Sequence, residues 1–370
     1  MSSVVKAGPG LSPPVAGQAP DDSRDIPRNV TAATVDYQLT LLGSLVGSLG
    51  LVWLLYTQVL PFSGPIGFVI CWYVAFVGLF AAVTAVQHGR TIVLDRVWMA
   101  VITGAAALVG VALIATVTYI VIRGWAAAHH LNFITQSESA ADQDSPLTQG
   151  GILNAIIGSL IQLGIATAIT LPLGIGTAVY MVEVGGRFAR VVRTVVEAMT
   201  ALPDILAGLF IYAFLIVALG FERSGFAAAL ALSVMMLPII ARSADVALRV
   251  VPGGLREASL ALGATQWRTV WRVVLPTQRT GLATAVILGM ARAVGETAPV
   301  LITSGASTFY TWNPFGEPMN SLPLYIYTAV RSPQQKFIER GFGAGIVLLV
   351  MVLVLFATAR FLARSKAGRR

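Results

Sequence analysis

The chain contains eight apolar runs, each close to the roughly 20 residues that an α-helix needs to cross a bilayer. Of its 370 residues, 56% are hydrophobic and only 11% are charged, whereas a soluble domain has about 25% charged residues. Glycine and proline occur inside the runs, as membrane helices tolerate. The runs lie at about 39–60, 65–88, 98–122, 152–182, 195–220, 225–248, 279–303 and 341–362. The sequence therefore predicts an all-α, polytopic membrane protein with about eight transmembrane helices.

The polar stretches between these runs divide the chain into predicted segments. Residues 1–38 are rich in Pro, Ala, Ser and Asp and lack an apolar period, which indicates a disordered cytoplasmic tail. Three transmembrane helices are predicted in 39–123, followed by a periplasmic loop in 124–150. A helical core is predicted over 151–362, and 363–370 is a basic cytoplasmic tail.

The positions of lysine and arginine predict the orientation in the membrane. Cytoplasmic segments of membrane proteins carry an excess of these residues. If the polar segment around residue 257 faces the cytoplasm, most of the 25 Lys and Arg residues do so as well. The few that then lie outside are Arg123, Arg223, Arg331, Lys336 and Arg340. Both termini are predicted to be cytoplasmic, and the net charge of +8 reflects loop orientation rather than nucleic-acid binding.

A polar, arginine-bearing segment, EASLALGATQWRTVWRVVLP, runs from Glu257 to Pro276 between two apolar runs. Its charges would be unsolvated in lipid, so it must lie in water. The pattern predicts a short helix, a break at Gly263, and an amphipathic helix that ends at Leu275 and Pro276. The loop at 250–278 therefore offers an apolar face to another protein.

Two tryptophans lie four residues apart in the second of these helices. Trp267 and Trp271 either enter a groove on a partner protein, as amphipathic helices do, or rest at the bilayer interface. Glu257 is either a favourable charge near a helix N-terminus or part of the docking surface.

Arg292 and Glu296 are four residues apart in the seventh run, so they share one face of a helix. A guanidinium near the middle of a membrane span normally faces a bundle interior or a wet path. Its planar donors fit tetrahedral oxyanions; the alternative is a salt bridge that only fixes helix packing. Arg242 either snorkels to the interface or contacts the same anion. Asp204, next to a proline, either bonds to freed backbone groups or lines the path, and the structural role is favoured.

The segment 257–276 resembles the cytoplasmic coupling loop of ABC importer permeases. Glu-Ala, a glycine six residues after the Glu, and a closing Leu-Pro occur in register. The resemblance implies that a helical loop docks into a separate ATPase. The residues that match the family motif are Glu257, Ala258, Gly263, Leu275 and Pro276, and Trp267 and Trp271 complete the predicted coupling surface.

Four further motifs within about 150–362 are similar to those of phosphate-specific permeases of the PstA type. They are LPLGIGTAVY at 171–180, ALPDILAGLF at 201–210, MLPIIAR at 236–242 and MARAVGETAP at 290–299. The family implies the type I ABC importer permease fold, a second homologous permease subunit, an ATPase dimer and a periplasmic phosphate-binding protein.

The resemblance also implies that Arg242 and Arg292 contact phosphate in transit and that Glu296 is their acidic companion. Sulfate and molybdate permeases usually have Phe-Gly after a related Arg-Ala-x-Gly-Glu run, and they remain the alternative for the anion. A typical family member has one helix before the first large periplasmic loop, whereas three are predicted in this chain.

Residues for catalysis are not indicated. The chain has no G-x-x-x-x-G-K-[ST] run that could cradle a nucleotide, and His88, His129 and His130 lack the spacing of metal ligands. We therefore expect a pore-forming subunit of the bacterial inner membrane, not an enzyme. It would bind no cofactor itself, while ATP and Mg would be bound by the partner ATPase. The rival class is a secondary transporter or channel, which would have no need for the loop at 257–276.

Overall fold

The computed structural model describes residues 35–59 and 64–363. The predicted terminal tails at 1–38 and 363–370 therefore lie almost wholly outside the described residues. Within those residues the secondary structure is helical, and extended pairing is confined to an isolated bridge between Gly305 and Met319. The predicted all-α class is confirmed.

Fifteen α-helices occur in the described part of the chain, several of them continued by short π-helical turns. They are α1 (Val35–Leu54), α2 (Pro65–Gln87), α3 (Arg90–Ala128), α4 (Leu131–Thr135), α5 (Leu153–Val179), α6 (Gly186–Thr200), α7 (Asp204–Ile211), α8 (Gly225–Arg249), α9 (Gly253–Ala261), α10 (Gln266–Thr269), α11 (Leu275–Thr277), α12 (Arg279–Val294), α13 (Ala298–Thr303), α14 (Leu322–Val330) and α15 (Gln335–Ala363).

Six helices in the described residues are long and apolar enough to span a bilayer, or seven if one bent pair counts as a single span. The six correspond to the first four predicted runs, the sixth and the eighth. The predicted run at 195–220 falls on α6 and α7, which are bent by 103° relative to each other. The predicted run at 279–303 falls on α12 and α13, and neither is long enough to cross alone.

The described residues divide into two compact units, with the boundary after Ala112. In the first unit, α1 packs against α2, and Phe76, Phe80 and Ala100 form a small core. The guanidinium of Arg96 lies 5.3 Å from the ring centroid of Tyr37. The two additional helices predicted at the front of the chain therefore share a small core with the first part of α3.

Helix α8 lies at the centre of the second unit. It is apolar around most of its circumference, and such helices are buried on all sides; Ala228, Leu232, Met236 and Ile240 belong to the main core. It packs chiefly against α5 and α12. Gly289 permits the close approach of α12, because an added Cβ would lie 2.7 Å from Ile240. The helix that carries Arg242 is thus fixed against the helix that carries Arg292.

A buried arginine of α15 holds the loop that precedes α5. Arg340 is only 4% exposed. Its two terminal nitrogens donate to the backbone carbonyls of Asp142, Ser145, Pro146 and Gln149, at 2.9–3.2 Å. A single side chain therefore satisfies four carbonyl oxygens of one loop.

We expect Arg340→Gln to destabilise this loop by about 2–4 kcal/mol, because four backbone carbonyls lose their bonds to a buried, charged guanidinium. Hydrogen exchange of the backbone amides at 142–149 should become much faster, and the loop should become sensitive to protease. Arg331→Gln is the matched control, because Arg331 is exposed and bonds to the hydroxyl of exposed Tyr327. Unchanged exchange in Arg340→Gln would contradict the assigned role.

Glu138 lies in the same loop and accepts hydrogen bonds from the side-chain amides of Asn154 at 3.5 Å and Asn320 at 3.2 Å. Burial raises the pKa of Glu138, against these two hydrogen bonds, which lower it. Folding therefore favours the protonated carboxyl. Its contribution to stability is present below the ordinary pKa and is lost as the pH rises through the raised value.

Candidate functional site

Arg292 is the centre of a small cluster of charged side chains. One of its terminal nitrogens, Nη2, lies 2.8 Å from Oδ1 and 2.6 Å from Oδ2 of Asp204. Its Nε lies 3.5 Å from Oε1 of Glu296. The side chains are 50% exposed for Arg292, 34% for Asp204 and 16% for Glu296. The cluster therefore joins one guanidinium to two carboxylates at an accessible place.

The predicted contact between Arg292 and Glu296 is present, but the predicted continuous helix at 279–303 is wrong. Helix α12 ends at Val294, and Gly295 follows as its C-cap. Helix α13 begins at Ala298 with Pro299 in its first turn, and proline has no N–H to continue a preceding helix. Glu296 therefore sits in the break between two helices and still reaches back to Arg292.

Asp204 was expected to bond to backbone groups, and the structure corrects this expectation. It is the first residue of α7 and follows Pro203, yet both of its carboxylate oxygens bond to Arg292. Helix α7 packs against α13, where an added Cβ on Gly208 would lie 2.6 Å from Cα of Pro299. This close helix contact brings Asp204 to Arg292 from a position 88 residues away in the sequence.

A cavity of about 200 Å³ opens beside the Asp204–Arg292 pair. Its other walls come from α7, α8 and the bend before α7 and include Pro203, Met235 and Pro238. A half-exposed guanidinium against largely apolar walls is suited to a small oxyanion, because its donors are directional and compete with little other polar surface.

Arg242 lies on α8, one helical turn beyond the cavity-lining Pro238. Its Nη1 bonds to the carboxylate of Glu197 on α6. Both side chains are about half exposed, at 50% and 51%. Arg242 is thus paired with a carboxylate of α6, just before the α6–α7 bend, rather than only extended into solvent.

The loop between α8 and α12 has the predicted arrangement of helix, glycine and helix. Its first helix, α9, begins four residues earlier than expected, at Gly253. Gly263 has a φ of +79°, a left-handed conformation that favours glycine. The side chains predicted to dock are mostly exposed: Glu257, Ala258, Gly263, Trp267, Trp271 and Pro276 lie on the surface, and Leu275 is half-buried.

The inner face of this loop is held to the core. Val270 and Val274 are buried with residues of α5 and α8. Arg256 bonds to the carboxylate of Glu183 at 2.8 Å and to the carbonyl of Leu248 at 3.1 Å. The exposed rings of Trp267 and Trp271 pack edge to face, with centroids 5.7 Å apart. The loop is therefore amphipathic. Its inner face is packed and hydrogen-bonded to the core, and its exposed face carries the tryptophan pair.

Sequence reasoning missed two acidic residues of the site. Glu197 was not singled out, and Asp204 was not assigned to Arg292. A signal was available, because an arginine in an apolar span needs a counter-charge and these two acids flank the proline at position 203. Their distance from the arginines in the sequence hid the pairing.

The family of binding-protein-dependent transport system inner membrane components matches residues 170–367 of this chain. Phosphate transport system permease protein PstA 1 of Mycobacterium tuberculosis is 40% identical over 252 residues, which cover 68% of this chain and 82% of that protein. Phosphate transport system permease protein PstA of Haemophilus influenzae is 34% identical over 238 residues, covering 64% and 82% respectively.

A solved bacterial alginate ABC transporter, in complex with an alginate pentasaccharide-bound periplasmic protein, has a similar fold. The TM-score is 0.53 at 16% identity, over 73% of this chain and 96% of that one. This likeness concerns the fold alone. The class of protein is established by the family match and by the identity to the two PstA proteins. The chain belongs to the family of binding-protein-dependent transport system inner membrane components, and within it to the PstA-type permeases.

Proposed function

We propose that this chain is the phosphate-conducting permease subunit of an ATP-driven importer in the bacterial inner membrane. The observation that carries the proposal is the half-exposed guanidinium of Arg292 beside a cavity in a PstA-type permease. Arg292 and Arg242 would contact the phosphate oxygens in transit, and Glu296 would keep Arg292 from holding the anion permanently. Binding at such a site must be weak enough to permit release.

The exposed loop with Trp267 and Trp271 supports coupling to a separate ATPase. Its inner face is anchored through Arg256 and Glu183, so a push on the outer face would be transmitted to α5 and α8. ATP and Mg would be bound by an ATPase dimer, and its closure on ATP would move the loop and open the path outward. A second homologous permease subunit and surrounding lipid would complete the pore. A periplasmic phosphate-binding protein would deliver the anion.

Two alternatives are less well supported. A secondary transporter or channel does not need a loop that docks into an ATPase, such as the segment that carries Trp267 and Trp271. A sulfate or molybdate permease would share the arginine cluster, but the curated relatives are named for phosphate transport.

The substrate is tested by uptake into proteoliposomes that contain the complete complex, the binding protein and internal ATP. We expect labelled phosphate to accumulate, and a tenfold excess of sulfate or molybdate to leave the rate nearly unchanged. Accumulation without ATP would instead favour the secondary transporter, and stronger inhibition by sulfate than by unlabelled phosphate would favour a sulfate permease.

The orientation remains a prediction, with both termini in the cytoplasm, and reporter fusions test it. A periplasmic reporter should be active when fused after residue 139 or 320, and only a cytoplasmic reporter should be active after 258 or 368. Positions 139 and 320 lie in the two predicted periplasmic loops, and positions 258 and 368 lie in the coupling loop and the C-terminal tail. A cytoplasmic signal at 320 would overturn the proposed orientation.

A further inference from the structure

The carboxylate of Asp204 occupies hydrogen-bond donors of Arg292 beside the cavity. Its two oxygens both approach Nη2 of Arg292, at 2.8 and 2.6 Å, and so compete for a donor that an oxyanion would use. The pair forms one wall of the 200 Å³ cavity. We propose that Asp204 is an internal competitor for the anion, which must be displaced from Arg292 before phosphate can bind there. This inference rests on the proposed function and deepens it.

The Asp204–Arg292 pair is much more exposed than the ion pairs that hold helices together. Asp245 is 4% exposed and is held at 3.1 Å by both Arg193 and Arg249, as expected of a carboxylate that ties helices together. The Asp204–Arg292 pair is 34% and 50% exposed. An accessible pair contributes less to stability than a buried one, so this contact can be exchanged for another anion at a lower cost to the fold.

The second arginine of the proposed path has the same kind of partner. Arg242 bonds to Glu197, and both are half-exposed. Glu197 and Asp204 lie on either side of the 103° bend between α6 and α7. A change in that bend would therefore shift the acidic partners of both arginines at once.

An internal carboxylate also imposes a charge preference. A ligand can displace the carboxylate only if it binds Arg292 more strongly than Asp204 does, and Asp204 carries a single negative charge. Hydrogen phosphate carries two negative charges and presents more oxygens, whereas chloride carries one charge and has no fixed geometry. Asp204 would thus suppress occupation of Arg292 by monovalent anions.

The test compares variants of the purified, assembled complex in one preparation. Equilibrium binding of labelled inorganic phosphate is measured without ATP and without the binding protein, with and without excess chloride. We expect Asp204→Asn to bind phosphate about fivefold more tightly and to become sensitive to chloride, because the competing charge is gone and the side chain keeps its shape. Adding Arg292→Gln to Asp204→Asn should abolish the gain. Glu222→Gln, an exposed acid between α7 and α8, should behave as wild type.

Unchanged or weaker phosphate binding in Asp204→Asn would overturn the inference. ATP-driven phosphate uptake by the wild-type complex is measured in parallel, so a failure of the proposed function is recognised separately. If Asp204→Asn does not assemble, Asp204→Ser, which has a smaller side chain, takes its place. Failure of both to assemble would show that the carboxylate is structural and would equally overturn the proposal.

Discussion

Arg292→Gln should reduce phosphate uptake by about a hundredfold or more, because the site loses both its positive charge and its directional donors. Asp204 and Glu296 would also be left without their shared partner. Arg292→Lys keeps the charge and loses the fork geometry, so uptake should fall by about tenfold. Glu296→Gln should be tolerated in part, since it leaves Arg292 free to contact the anion. Uptake is normalised to the amount of assembled complex.

A purely structural role for the cluster makes a different prediction. If Arg292 and Asp204 only hold α12 to α7, then neutralising both together, as Arg292→Gln with Asp204→Asn, should restore assembly and transport. The charge-swapped pair, Arg292→Glu with Glu296→Arg, would place a glutamate beside Asp204. It should therefore restore assembly and transport only if Asp204 is neutralised as well. Transport near the wild-type rate in the doubly neutral variant would reject the contact between Arg292 and the anion.

Gly263→Trp should separate ATP hydrolysis from uptake. Gly263 has a φ of +79°, which costs a residue with a Cβ about 1 kcal/mol or more, and no heavy atom of the chain lies within 4 Å of an added Cβ. The large ring would therefore project from the turn between α9 and α10 into the space needed by the ATPase. Membrane insertion should be preserved, while uptake falls at least tenfold and the ATPase no longer responds to the binding protein.

Gly263→Asn is the matched control for backbone strain, because asparagine adopts the left-handed conformation more readily than most residues. It should retain most of the uptake. Full ATP-driven uptake by a well-expressed Gly263→Trp complex would refute the docking role of the loop.

Much of the architecture could be predicted because it depends on local pattern. Apolar runs of membrane-spanning length located α1, α2, α3, α5, α8 and α15, since a continuous apolar run of about 20 residues satisfies its own backbone within lipid as a helix. The turn at Gly263 could also be predicted, because a glycine between two helical segments readily adopts the left-handed conformation that ends a helix.

The breaks inside apolar runs could not be predicted in the same way. The break between α12 and α13 is only three residues long, Gly295, Glu296 and Thr297, and the residues on both sides of it are mostly apolar. Proline is tolerated inside other helices here, at Pro172 of α5 and Pro238 of α8. A proline therefore ends a helix at one place and is accommodated inside a helix at two others, and hydropathy does not distinguish these cases.

Three residues of the charged cluster, Arg292, Glu296 and Arg242, were predicted as site residues, whereas the acids contributed by α6 and α7 were not assigned to it. Arg292 and Glu296 are four residues apart, so their contact follows from helix geometry. Asp204 and Glu197 reach their arginines across 88 and 45 residues, and such contacts depend on how α6 and α7 fold back. The two acids that reach the arginines from a distant part of the sequence were therefore the ones that sequence reasoning did not assign.

The contrast between buried and accessible ion pairs has a consequence for how such a protein can change over evolutionary time. The pairs of Asp245 and Glu183 lie in the interior, with carboxylates 4% and 8% exposed, and replacing one partner there would be strongly destabilising. The pairs of Arg242 and Arg292 face a cavity or solvent. Mutations at Glu197 or Asp204 would cost little stability, so the scaffold can acquire a new anion preference without first acquiring a new fold.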